Sequence, residues 1–75
     1  MNISDVMIHV SEELDVAARN ALEARLRDLD GVIAPRFNPG KEHLLVVAFD
    51  PDKARPAELL GTVRAAGYAA RLVGA

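Results

Sequence analysis

"VMIHVSEELDVAARNALEARL", residues 6–26, contains the two periodicities from which the fold is built. Val6, Ile8 and Val10 alternate with Met7 and His9, so residues 3–10 read as a strand. From Ala18 onward Leu22, Leu26 and Leu29 follow at spacings of four, four and three, which is one face of a helix. Arg19, Glu23 and Arg27 share another face, with Glu23 ahead of Arg27 in the favourable order for an ion pair. Asp15 stands where an N-cap belongs, its carboxylate able to accept a bond from an unpaired first-turn amide. Gly31 can take a positive φ and so end the helix.

The remaining pieces follow outward from this unit. "VIAPRFN" (32–38) is a strand interrupted by Pro35, which cannot donate to a ladder and therefore belongs at a sheet edge. Pro39-Gly40 suits the centre of a type II turn. "HLLVVAF" (43–49) is the most apolar strand and reads as central. Pro56 opens a second helix whose buried face is Leu59, Val63 and Ala66, with Gly67 closing it. "YAARLV" (68–73) is the last strand. The order βαββαβ, with right-handed crossovers, leads to a ferredoxin-like α+β fold. Its antiparallel sheet has the order 4-1-3-2, with both helices on one face and strand two at an edge.

Composition narrows the function classes. Seventy-five residues suit a single domain, 1–75. The chain has no cysteine, which excludes disulfides, thiolate metal sites and thiol catalysis. A net charge of −2, scattered arginines and only one tyrosine and two phenylalanines argue against nucleic acid as a partner. No apolar run approaches a membrane span and no signal-peptide pattern is present, so direct membrane insertion is not expected and the cytoplasm is. No serine–histidine pair, glycine-rich phosphate loop or placed carboxylate pair points to an enzyme.

Several stretches, in order and at matching spacing, resemble the heavy-metal-associated domain of copper chaperones, mercury-binding proteins and P-type ATPase N-termini. "IHV" matches the approach to the metal loop, and "ALEARLRDLDGV" matches the first helix and its Gly-Val end. "VVAFDP" matches the third strand, and "ELLGTVRAAGYAARLV" the second helix, Gly-Tyr pair and last strand. Counting back from Gly31-Val32 places the family's Cys-x-x-Cys pair on Asp15 and Ala18, and its Gly-Met-Thr lead-in on Glu12, Glu13 and Leu14. The resemblance thus implies a metal-loop position at Asp15, Ala18 and Tyr68 that lacks the soft-metal chemistry. Paired thiolates hold Cu(I) because sulfur is polarisable, and one carboxylate with one alanine cannot replace them.

Oxygen and nitrogen donors remain. Glu12, Glu13 and Asp15 either ligate a harder ion or simply cap the helix and favour its positive end. His9 and His43 are imidazole candidates or plain surface histidines, and alternation leaves their separation open. Tyr68 either lies over the metal loop or packs across the helix ends. On the outer sheet face, Met7, His9, Leu44, Val46, Ala48, Arg71 and Val73 form a strip more apolar than a solvated face requires. The reading is a cofactor-free interaction or regulatory module, linked to metal-ion transport, that meets a protein partner or a second copy through this face. In a two-fold homodimer the His9 side chains would approach each other. The alternative is a binder of a borderline divalent metal (Zn, Ni, Co) through Asp, Glu and His.

Overall fold

The computed structural model describes residues 2–74. Strand β1 (Ser4–Val10) buries Ile8 and Val10 and leaves Asp5 and Met7 exposed, as a period of two requires. Helix α1 (Val16–Arg27) buries Leu22 and Leu26. Strands β2 (Val32–Asn38) and β3 (Lys41–Phe49) form a hairpin, followed by helix α2 (Pro56–Ala65) and strand β4 (Ala70–Val73). The sheet order is β2-β3-β1-β4, every pairing is antiparallel, and β2 is an edge. This is the ferredoxin-like arrangement expected from the sequence.

Both helices cover the same sheet face. Leu22 and Leu26 of α1 and Leu59 and Val63 of α2 join Ile8, Val10, Leu45, Val47 and Phe49 in one core. Leu14 and Ala54, each in a connecting segment, are buried with them. Sequence periodicity missed both, because a lone apolar residue in a loop has no period to reveal it.

The element ends differ from the sequence reading for local reasons. Helix α1 stops at Arg27, and Leu29 reaches the core from a tight turn in which its N–H bonds the Leu26 carbonyl at 3.0 Å. Strand β3 begins at Lys41, earlier than expected, because the Pro39-Gly40 turn pairs Asn38 directly with Lys41. Gly40 has φ 78°, the value a type II turn demands at that position. Strand β4 begins only at Ala70, since Ala69 gives its backbone groups to the loop after β1. The Glu23–Arg27 ion pair is also corrected. The Glu23 carboxylate instead accepts the Phe37 N–H at 3.1 Å, tying α1 to the edge strand.

Gly31 has φ 92°, and a Cβ there would lie 2.7 Å from Lys53 Cβ. Its carbonyl accepts the Asp50 N–H at 2.7 Å, so the backbone cannot easily retreat. Gly61 is the contrast: it lies inside α2 with open space around it. Gly31→Ala should destabilise the domain by roughly 1–3 kcal/mol, whereas Gly61→Ala should stabilise it by roughly 0.5–1 kcal/mol. Urea unfolding of the two variants checks both signs.

Candidate functional site

The segment between β1 and α1 is closed by its own hydrogen bonds. Asp15 adopts an extended backbone, and its Oδ1 accepts the Ala18 N–H at 2.8 Å. Asp15 and Ala18, the two positions on which the sequence resemblance places a cysteine pair, are therefore joined to each other as a helix cap. Both Glu12 carboxylate oxygens accept the Ala69 N–H, at 3.0 and 3.1 Å, while the Ser11 N–H bonds the Ala69 carbonyl. Arg19 Nη1 donates to the Leu14 carbonyl at 2.7 Å and lies 4.0 Å from the Glu42 carboxylate. Leu14 anchors the segment in the core, and Glu13 is exposed.

This donor set does not fit the soft metal that the resemblance would imply. A carboxylate oxygen is hard, Ala18 has no donor atom, and Asp15 is already oriented toward a backbone amide. Among the described residues no three His, Asp or Glu side chains converge as a metal shell. Asp15, Glu12 and Glu13 thus sit on one loop without sharing a coordination point.

Tyr68 is half-buried and packs against the core. It lines a cavity of about 140 Å³ with Ala18, Ala21, Leu22, Arg25 and Ala66. Tyr68 therefore lies beside the length of α1 and the C-terminal end of α2. Ala18 and Tyr68 line the same cavity, whose walls combine alanine and leucine side chains with Arg25.

His9 and His43 do come together. Their ring centroids are 5.7 Å apart with planes inclined by 17°. Strict alternation would put His43 on the helix side with Leu45. The ladder is irregular there: Phe37 pairs with Leu45 and Asn38 with Lys41, so Glu42, His43 and Leu44 intervene on β3. That irregularity releases His43 from the alternation and lets its ring reach His9. The His43 Nδ1 bonds the Val10 carbonyl at 2.8 Å. The His9 Nδ1 is buried and has no hydrogen-bond partner among the described residues. No sequence signal links the two, because a bulge in the neighbouring pairing sets their distance.

The outer sheet face follows from the register. Met7 lies opposite Val46 and Val73, His9 opposite Leu44 and Arg71, and Ala48 opposite Ala34. Met7 and Arg71 are exposed, while Leu44, Val46, Ala48 and Val73 are half-buried. Arg36, opposite Val46, flanks the strip on β2 as Arg71 does on β4. The sequence reading missed Arg36, since its face depends on the slip in the ladder between Val32 and Ala34.

No protein-family model matches the chain, and no curated protein matches it in sequence. Solved structures match it in shape over nearly the whole length. The N-terminal domain of a potential copper-translocating P-type ATPase from Bacillus subtilis, in its Cu(I)-loaded state, has a TM-score of 0.84 at 24% identity, covering 95% of this chain and 88% of that one. A copper-binding domain from HMA7, a P-type ATPase, gives 0.83 at 21% identity, covering 93% of each. Oxidized MerP from Ralstonia metallidurans gives 0.81 at 20% identity, covering 95% and 97%. The chain has the fold of these heavy-metal-associated domains, without a cysteine to carry their thiolate chemistry.

If the loop's carboxylate serves as a cap, Asp15→Ala should cost about 1 kcal/mol and Asp15→Ser very little. Thermal melting of both variants checks this, and equal losses would refute the capping role.

Proposed function

We propose that this chain is a non-enzymatic interaction or regulatory module on a metal-chaperone scaffold, acting in the cytoplasm in association with metal-ion transport. The observation that carries this reading is the outer sheet face. Met7, Leu44, Val46, Ala48 and Val73 form a continuous apolar strip where a two-layer fold ordinarily presents polar side chains to water. The solved structures of similar shape include domains of P-type ATPases and a CopZ metallochaperone, which supports a setting in metal transport. No helix among the described residues is long and apolar enough to cross a membrane.

The partner that fits is a flat apolar protein surface rimmed with carboxylates. Arg36 and Arg71 flank the strip on opposite sides, and neither is in an ion pair among the described residues. A second copy would bring further arginines to that rim, with Asp5 as the acidic residue of the same face. The rim therefore favours a different protein over self-association. Rim charges of this kind steer encounter and choose partners more than they add affinity. Metal binding through Asp15 or Glu12 finds no support, since both carboxylates are engaged with backbone amides.

A photo-crosslinking residue placed at Met7 should capture one dominant partner in cells, and the same residue at Ala57 on the exposed side of α2 should not. Arg36→Glu combined with Arg71→Glu should lower the Met7 yield several-fold while changing stability by no more than about 0.5 kcal/mol. Equal capture from both positions would end the reading. Capture of the chain by itself would replace the heterologous partner with a homodimer.

A further inference from the structure

His9 and His43 are distant in sequence and adjacent in space, and their ring nitrogens are unlike one another. The Val10 carbonyl can only accept a hydrogen bond, so its 2.8 Å contact fixes the proton of neutral His43 on Nδ1. The lone pair is then on Nε2. A ring N–H held by a backbone carbonyl is the support that metal-bound imidazoles generally receive, because it sets the tautomer and raises ligand basicity. His9 has the complementary feature. Its Nδ1 is buried without a hydrogen-bond partner among the described residues, which is uncommon for a polar atom and calls for a physical reason.

An ion bound about 2.0–2.1 Å from one nitrogen of each ring places the ring centres about 5–6 Å apart. The observed separation of 5.7 Å lies in that interval. The rings are stacked at 17°, so joint ligation requires the His9 ring to turn, and its Nδ1 has no hydrogen bond among the described residues to oppose that turn. We propose that His9, through Nδ1, and His43, through Nε2, form a two-imidazole site for a borderline divalent transition-metal ion, with solvent in the remaining positions.

The chemistry of the pair predicts its selectivity. Two neutral imidazoles follow the usual order for nitrogen ligands, with Cu(II) tightest, Ni(II), Zn(II) and Co(II) weaker, and Mn(II) very weak. The loop carboxylates take no part, since no third His, Asp or Glu among the described residues joins a shell. The site is separate from the metal-loop position at Asp15 and Ala18 and does not depend on the interaction reading.

The test uses the full chain, free of any affinity tag, titrated with Cu(II), Ni(II), Zn(II) and Mn(II) by calorimetry and by proton NMR. One Cu(II) should bind per chain and broaden the ring signals of His9 and His43 before any others. His9→Gln and His43→Gln should each weaken Cu(II) at least about tenfold, and Asp15→Asn should leave it unchanged. Glutamine at 43 keeps a donor for the Val10 carbonyl, and His9→Gln provides an independent variant if that one fails to fold. Absence of Cu(II) binding would overturn the site. So would broadening centred on the N-terminus or the loop carboxylates, or undiminished binding in His9→Gln.

Discussion

The pairing of β1 with β3 is the constraint on which the rest of the molecule depends. Its register runs from Ser4 opposite Phe49 to His9 opposite Leu44. In that register Ile8, Val10, Leu45 and Val47 are fully removed from water on the helix side. A slip of β1 by one residue would exchange its two faces, burying Met7 and His9 beneath the helices and exposing Ile8 and Val10. Burial of a side chain of this size contributes roughly 1.5–3 kcal/mol, so the alternative register is strongly disfavoured. The same pairing gathers Met7, Leu44, Val46 and Ala48 on the opposite side. Core and candidate interface are thus consequences of one register.

The segment after β1 is held by contacts within the protein itself. Here the turn is held by the Asp15 cap, the Glu12 contact with Ala69 and the Arg19 contact with Leu14. Acids at a helix N-terminus are favoured by the unpaired amides and by the helix dipole whether or not a metal is near. The local acidity of the sequence is therefore explained by structure before any ligand is invoked. The buried Leu14 gives the turn its own attachment to the core.

The histidine pair and the flanking arginines belong to another level of organisation. The β2–β3 hairpin carries two slips in register, one near Ile33 and one beside His43. The first sets Arg36 on the outer face, and the second brings His43 to His9. Irregularities of this kind re-aim side chains that regular alternation would place elsewhere. The groups with the most distinctive chemistry in this protein therefore lie where the sheet departs from its period.

What the sequence determined by itself is what local period and local chemistry encode. Alternation from Val6 to Val10, the leucine spacing of α1, Pro35 at an edge and the Asp15 cap are each legible within a few residues, and together they fix the ferredoxin-like order. Tertiary structure alone decided which residues of different elements meet. It moved Glu23 from Arg27 to the Phe37 amide, drew Leu14 and Ala54 into the core, shortened β4 by joining Ala69 to the loop, and stacked His9 on His43. The reason is physical: a period repeats along one element, whereas these contacts depend on how bulges and turns offset one element against another.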